Sequence, residues 1–310
     1  MKGAYCQLPE LIQQRFSGRQ LDLRRRNRAR SLLSGANKSN FRGRGIDFEE
    51  VRSYQPGDDI RGIDWRVTAR TGEPHTKIFR EERERPLLIV TDLRNAMFFG
   101  SRRCFKSVLA CHVAALLGWA GLNQGDRVGG LVFSDAGHRE VRPKRHRRTL
   151  LSLLNQLTQR NLLLPTAETA ASEQSFSNAL LELRRIARPG SSIFIISDFR
   201  GASDGRAEDS LYQLSRHTEI NALHCSDPLE AELPDSGVYR VTDGSTDADL
   251  FTGRGQLRQR FHQDYLQRLE RLRSDYGGLG IPVIDLSPRR EPLEQLLPLY
   301  SARQLPGAVR

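Results

Sequence analysis

The sequence lacks the long apolar segments that place a protein in or across a membrane. Its longest apolar run lies within residues 108–122 and is interrupted by His112 and Trp119. That run is far shorter than the roughly 20 apolar residues that cross a bilayer. The N-terminus also lacks the charged, then apolar, then small order of a secretory signal. We therefore expect a cytoplasmic protein without a membrane span.

Motifs of common catalytic sites are missing as well. There is no GxxxxGK[ST] phosphate loop, which speaks against nucleotide hydrolysis by this chain. Neither GxSxG nor HExxH occurs, and the histidines have no ligand spacing. The four cysteines show no CxxC pairing, and the seven-residue step from Cys104 to Cys111 predicts two buried thiols on one helix face. The sequence favours a protein that is not an enzyme.

What the chain has in excess is positive charge. Its formal net charge is +11, with concentrations of arginine at residues 24–30 and 139–148. Such runs contact nucleic-acid phosphates, anionic lipid or an acidic protein, or else form a solvated face. No zinc-finger spacing, aromatic RNA-binding motif or helix-turn-helix pattern accompanies them. Nucleic-acid binding through these runs is therefore an alternative that the sequence does not favour.

The order of patterns along the 310 residues predicts the fold. A helical pattern at residues 8–34 is broken at Gly18, and residues 40–85 read as short extended segments separated by turn residues. Apolar runs typical of buried parallel strands then alternate with helical patterns. The strands are expected at residues 87–91, 127–133, 192–196, 220–224 and 282–286, with an edge strand at 138–142. The helices are expected at residues 105–121, 148–157, 177–187 and 257–276.

This alternation predicts an α/β protein with a doubly wound, mostly parallel sheet, preceded by N-terminal helices and a small β-rich unit. The expected segments are an N-terminal helical segment at 1–39, a β-rich segment at 40–85, the sheet domain at 86–290, and a C-terminal helix and tail at 291–310.

Two carboxylates follow strands of the predicted sheet. Asp92 closes the first strand, and Asp198 follows the strand at 192–196. Ligands of open α/β sheets bind at the carboxyl ends of the strands, where facing carboxylates could hold Mg²⁺ or Mn²⁺. Alternatively, each aspartate caps the turn or helix that follows it. The two interpretations stay open at this point.

The charged segment around Trp65 also has two interpretations. Its signs alternate, which on adjacent short strands would give cross-strand ion pairs. It could equally be a docking face, because Trp and Arg are enriched at binding hot spots. The candidate partner-binding residues are Arg61, Asp64, Trp65 and Arg70.

Several motifs resemble those of one bacterial family and together cover the chain from about residue 30 to 290. They combine turn glycines, charged residues and strand-end aspartates. The runs are Arg42-Gly43-Arg44-Gly45, Asp47-Phe48, Arg52-Ser53-Tyr54, Pro56-Gly57-Asp58-Asp59, Ile63-Asp64-Trp65, Ala69-Arg70, Gly125-Asp126-Arg127-Val128-Gly129, Ser197-Asp198-Phe199 and Asp227-Pro228-Leu229-Glu230. They resemble the domain-of-unknown-function 58 family. The resemblance implies a von Willebrand factor A-like domain, and partners that include a MoxR-type AAA+ ATPase and other von Willebrand factor A proteins.

The chain departs from the metal-binding pattern of von Willebrand factor A domains. Those domains follow the first strand with Asp-x-Ser-x-Ser, whereas this chain reads Asp92-Leu93-Arg94-Asn95-Ala96. A guanidinium replaces the first hydroxyl and a methyl the second, while Asp198 is retained. Because a fixed positive charge repels a divalent cation at short range, we predict a degenerate site without metal or other cofactor. Arg94 is expected to pair with Asp92 and Asp198 in place of the cation. The alternative is that Arg94 faces solvent.

These observations predict a non-enzymatic protein-binding adaptor. The resemblance implies that it works with a MoxR-type AAA+ ATPase in the maturation or assembly of protein clients. The alternatives are a metal-dependent hydrolase that uses Asp92 and Asp198, and the nucleic-acid-binding protein considered above.

Overall fold

A computed structural model of the protein describes residues 1–23, 46–55, 63–81, 85–164, 174–242, 247–253 and 255–300. The chain divides into two compact units. The larger combines Met1–Gly35 with Arg85–Arg310, and the smaller is Ala36–Glu84. Residues 1–35 of the predicted N-terminal segment, and the predicted C-terminal helix, thus belong to the same unit as the sheet.

The smaller unit contains a two-stranded antiparallel sheet. Strand β1 (Ile46–Ser53) pairs with β2 (His75–Glu81), with an irregularity between Phe48 and Glu50. A β-rich unit ahead of the main sheet agrees with the prediction from sequence.

Between these strands lies a helix that we did not predict, α2 (Trp65–Thr71). The Asp64 carboxylate accepts hydrogen bonds from the backbone N–H groups of Arg66 and Val67, and Gly72 closes the helix in the left-handed conformation, with φ of 78°. The interpretation that Trp65 and its charged neighbours lie on adjacent strands is therefore wrong. An aspartate cap and a terminal glycine are helix signals, and here they outweigh the alternation of charge.

The larger unit is built on a six-stranded sheet. Its strands are β3 (Pro86–Asp92), β4 (Arg127–Ser134), β5 (Gly137–Lys144), β6 (Ser192–Ser197), β7 (Glu219–Cys225) and β10 (Val283–Leu286). They lie in the order β10-β7-β6-β3-β4-β5. All neighbours are parallel except β4 and β5, which are antiparallel. This confirms the doubly wound, mostly parallel sheet, with residues 138–142 on the expected edge strand.

Helices cover both faces of this sheet. They are α1 (Leu8–Gly18), α3 (Lys106–Asn123), α4 (Arg147–Leu163), α5 (Gln174–Ile186), α6 (Gly205–Ser215), α7 (Pro228–Ala231), α8 (Gly255–Gly278) and α9 (Pro292–Tyr300). A hairpin of β8 (Val238–Thr242) and β9 (Asp247–Phe251) was not predicted. No helix of the described ranges is both long enough and apolar enough to cross a membrane.

Alternate residues of each central strand point into two separate cores. In β3, Leu87 and Ile89 pack with α1, α3, α4 and α9. Leu88 and Val90 pack on the opposite face with α5, α6 and the end of α8. Helix α3 is buried from Lys106 through Gly121. A helix that is apolar all round belongs inside the protein, and here it lies at the centre of the first core.

The predictions for the cysteines are partly right. Cys6, Cys104, Cys111 and Cys225 are free and buried. Burial raises the pKa of Cys104 to about 11, as expected for an unreactive thiol. However, α3 begins at Lys106, so Cys104 precedes the helix and does not share a helix face with Cys111.

Candidate functional site

Asp92 and Asp198 lie close together at the carboxyl edge of the sheet. Asp92 is the last residue of β3, and Asp198 follows the last residue of β6. These strands are parallel neighbours, with Leu87 of β3 opposite Ser192 of β6. Because the two strands are paired in register, their carboxyl ends lie side by side, and the two carboxylates lie close together.

Arg94 lies between these carboxylates and is itself only 5% exposed. Its Nη2 is 2.6 Å from Asp92 Oδ2 and 3.5 Å from Asp198 Oδ1. Its Nε donates to Asp92 Oδ1 at 3.0 Å, and its Nη1 donates to the carbonyl of Arg200 at 2.9 Å. The guanidinium thus bonds the loops that follow β3 and β6 to each other.

Each aspartate also closes the turn that follows it. Asp92 accepts a hydrogen bond from the backbone N–H of Arg94 at 3.0 Å, and Asp198 accepts one from that of Arg200 at 3.1 Å. The Ser197 hydroxyl donates to Asp92 Oδ2 at 2.6 Å. Turn closure, one of the two roles that the sequence left open for these aspartates, therefore occurs together with ion pairing to Arg94.

A second buried cation was not identified from the sequence. Lys106, the first residue of α3, has a fully buried side chain, and its Nζ lies 3.1 Å from Asp198 Oδ2 and 2.8 Å from Glu230 Oε1. Lys106 is the only Lys, Arg, Asp or Glu in α3. A single charge at the start of an otherwise uncharged helix was the signal that could have revealed it.

Helix α7 holds Glu230 in position. Asp227 caps this helix by accepting from the N–H of Leu229 at 2.9 Å, and Glu230 Oε2 accepts from the N–H of Asp227 at 2.9 Å. The reciprocal pair is a capping box. It leaves Glu230 Oε1 directed at Lys106.

Arg200 forms the outer boundary of this arrangement. Its side chain is 56% exposed, and it contacts Glu230 Oε1 at 3.1 Å and Asp198 Oδ2 at 3.5 Å. On the inner side, the guanidinium of Arg94 lies over the rings of Phe133 and Phe176, at 5.6 and 5.5 Å from their centroids. The ion-pair cluster, as we call it, comprises three carboxylates and three cations: Asp92, Asp198, Glu230, Arg94, Lys106 and Arg200.

Opposite charges outweigh desolvation in this cluster. Burial alone would lower the pKa of Arg94, but Asp92 and then Asp198 outweigh it and raise that pKa above its usual range. Burial alone would raise the pKa of Asp198, but Lys106 and then Arg94 outweigh it and hold the pKa of that carboxyl below its usual range. Both groups are therefore charged at neutral pH.

The last position of the predicted degenerate metal site is Ala96. Ala96 lies in a short 3₁₀ turn, Asn95–Met97, and has no side-chain oxygen. Both oxygens of Asp92 already accept from Arg94. Among the residues that the structure describes, no group of three or more His, Cys, Asp or Glu side chains could hold a metal ion. The side chains of Arg94 and Lys106 pair with the carboxylate oxygens that a divalent cation would need as ligands.

The candidate partner-binding residues lie in the smaller unit. Trp65 is 68% exposed, Arg70 is exposed, and Asp64 caps α2. Arg61 lies outside the described residues. The basic run at 24–30 also lies outside them, whereas the run at 139–148 covers β5 and the start of α4 and is mostly exposed.

Comparison with known proteins finds relatives along nearly the whole chain. The uncharacterized protein Rv1480 of Mycobacterium tuberculosis is 28% identical over 290 residues, which are 92% of this chain and 88% of that protein. The uncharacterized protein Mb1516 of Mycobacterium bovis matches to the same extent.

Solved structures with low sequence identity were also found. BatB from Bacteroides thetaiotaomicron is 14% identical, with 63% of this chain and 98% of that chain covered and a TM-score of 0.39. The SpRpn10 VWA domain is 13% identical, with 72% and 100% covered and a TM-score of 0.34. The protein family described as "Protein of unknown function DUF58" matches residues 50–271. That match spans most of the chain, so this protein belongs to the DUF58 family.

Proposed function

We propose that this protein is a non-enzymatic, cytosolic, protein-binding adaptor that works with a MoxR-type AAA+ ATPase. One observation carries the proposal. The edge of the sheet at which α/β proteins bind their ligands is closed by the ion-pair cluster, in which the chain's own cations pair with Asp92, Asp198 and Glu230. We propose that this edge is a rigid surface that a protein partner recognises.

The protonation states of the cluster support recognition over catalysis. A general acid or base works best with a pKa near the working pH. The pKa of Asp198 is held below its usual range, and the pKa of Arg94 is raised above its own. Neither group changes its protonation state at neutral pH, which argues against either of them as a general acid or base.

We also propose that the cluster takes no divalent cation. Two like unit charges 4 Å apart repel by about 4 kcal/mol at an effective dielectric constant of 20, and a divalent ion doubles that. Arg94 and Lys106 both contact the carboxylates that such an ion would need. In place of a bound metal ion, these fixed charges stabilise the loops that follow β3 and β6.

The identity of the partner is proposed from the resemblance to MoxR-associated proteins, and other von Willebrand factor A proteins are further candidates. In the smaller unit, Trp65 is 68% exposed, and Arg70 follows it on the same short helix. Trp and Arg are the residue types enriched at binding hot spots. We propose α2 as the contact for the ATPase.

The proposal is tested by purifying the tagged protein from its own cells, with and without a non-hydrolysable ATP analogue. We expect an AAA+ ATPase to co-purify in a nucleotide-dependent manner and to be lost from Trp65→Ala. The matched control is Tyr212→Ala, because Tyr212 is a 50% exposed aromatic residue on α6 of the larger unit. Absence of any ATPase, or a hydrolytic activity that Asp198→Asn abolishes, would refute the adaptor function.

A further inference from the structure

A cleft lies beside the ion-pair cluster, between α8 and the loop that follows β6. Its volume is about 290 Å³. The floor is apolar and aromatic, formed by Phe199, Leu269, Leu272 and Tyr276. Tyr276 is 3% exposed, and its hydroxyl has no hydrogen-bond partner among the described residues.

Three arginines line the same cleft. Arg200 is held by the cluster, as described above. Arg268 and Arg271, on α8, are exposed and form no ion pair within the described residues. Two unpaired guanidinium groups above an apolar floor are suited to a ligand that carries both carboxylates and apolar groups.

The carboxylates of the cleft do not cancel this preference. Asp198 and Glu230 are already paired with Lys106. Asp275 is the other lining carboxylate, and it lies four residues after Arg271 at the C-terminal end of the helix. A ligand's negative charge is therefore expected at the three arginines and away from Asp275.

The length of the cleft indicates a peptide. Its lining residues on α8 extend from Tyr265 to Tyr276 along one helix face. At 1.5 Å per residue this stretch is about 16 Å long. An extended peptide of about five residues spans that distance at 3.3 Å per residue, whereas a phosphate ion would fill a small part of it.

We infer that this cleft binds an extended acidic and apolar segment of a protein partner, with its carboxylates on Arg200, Arg268 and Arg271 and its apolar side chains on Leu269 and Leu272. The inference rests on the proposed adaptor function and names the chemistry of what the adaptor binds at the sheet edge.

The test is a selection of displayed random peptides on the full-length protein and on the double variant Arg268→Glu with Arg271→Glu. The wild type is expected to enrich peptides that combine Asp or Glu with apolar residues. A selected peptide should bind the double variant at least about tenfold more weakly, and its affinity for the wild type should fall with added salt.

The matched control is Arg216→Glu with Arg260→Glu. Both arginines are exposed, lie outside the cleft and form no ion pair within the described residues. The control variant changes the net charge by the same amount as the cleft variant, because each replaces two arginines with glutamates. This control should bind the selected peptide like the wild type. Melting temperatures of both variants show whether either has lost its fold.

Three results would overturn the inference. One is selection without acidic preference, and another is equal binding by the cleft variant. The third is that inorganic phosphate or a single-stranded oligonucleotide, but no peptide, binds in an Arg268-dependent manner. If an ATPase co-purifies with the wild type but no selected peptide distinguishes the wild type from the cleft variant, the adaptor function stands and the inference falls. If acidic peptides bind the cleft but no ATPase co-purifies, the inference about the cleft stands and the proposed function with the ATPase falls.

Discussion

At the scale of single residues, the proposal that the sheet edge takes no metal depends on Arg94 and Lys106, which pair with Asp92 and Asp198. The position of Arg94 was predictable, because it replaces a hydroxyl in a recognisable five-residue pattern. Lys106 was not predicted, because its partners, Asp198 and Glu230, are distant in sequence and no spacing relates them. Motif comparison finds a substituted ligand, but it does not find a second cation supplied by another element.

The first prediction concerns the stability that Arg94 provides. Arg94→Ala leaves the fully buried Asp92 without its main partner. Breaking a buried ion pair on one side costs roughly 3–5 kcal/mol of folding free energy. Urea unfolding should show this loss. Arg200→Ala is the control, because its side chain is 56% exposed and should cost about 1 kcal/mol or less. Similar losses from both variants would contradict the assignment of Arg94 as the central cation.

The second prediction concerns pH. The folded-state pKa of Asp198 is lowered below its usual range, chiefly by Lys106 against the effect of burial. The stability it contributes is therefore fully present above the unfolded-state pKa of about 3.9, and is lost as the pH falls through the lower folded-state value. Urea unfolding from pH 6 down to about pH 3 should show falling stability in the wild type. In Asp198→Asn that fall should be smaller, and an unchanged acid profile would contradict the prediction.

At the scale of elements, apolar runs predicted the central strands well. Strands that are buried on both faces appear in the sequence as uninterrupted, mostly apolar runs, as residues 87–91 and 192–196 show. Exposed elements were harder to predict. The β8–β9 hairpin carries Val238 and Phe251 at 60% and 59% exposure, so no burial pattern marks it. The cap signals of α2 were present in Asp64 and Gly72, but the alternation of charge suggested strands instead.

The third prediction belongs to α7, the short helix that presents Glu230. Asp227 is 2% exposed and accepts from the N–H groups of Leu229 and Ser101. Asp227→Ala removes the cap and leaves these donors unpaired, which should cost about 1–2 kcal/mol in chemical unfolding. Asp209→Ala, at an exposed position of α6, should change stability little. Equal effects would mean that the cap of α7 does not stabilise the fold.

At the scale of the whole molecule, the sheet brings together residues that are distant in sequence. The alternation of strands and helices predicts a doubly wound sheet, but it does not give the order of strands. The order β10-β7-β6-β3-β4-β5 makes β3 and β6 neighbours, and this adjacency creates the cluster. Right-handed crossovers limit the possible orders without selecting one. The cluster therefore depends on a property of the fold that local sequence does not contain.

The fourth prediction asks how many substitutions would restore a metal site. Arg94→Ser with Ala96→Ser returns two hydroxyls, but Lys106 still lies 3.1 Å from Asp198. We expect the melting temperature of this double variant to remain insensitive to Mg²⁺. Adding Lys106→Met removes the second fixed charge, and Mg²⁺ should then stabilise the triple variant according to its occupancy. A strong Mg²⁺ response in the double variant would show that Lys106 has little influence.

The most direct test of the central claim is a calorimetric titration of Mg²⁺ into the wild-type protein at neutral pH. If Arg94 and Lys106 supply the positive charge of the sheet edge, the titration should show no saturable heat of binding. An ion whose Kd lies well below its added concentration would also raise the free energy of unfolding by about a kilocalorie per mole or more. A melting curve with and without Mg²⁺ therefore checks the calorimetric result. Saturable binding at micromolar affinity, abolished by Asp198→Asn, would contradict the account and make the carboxyl edge a metal site.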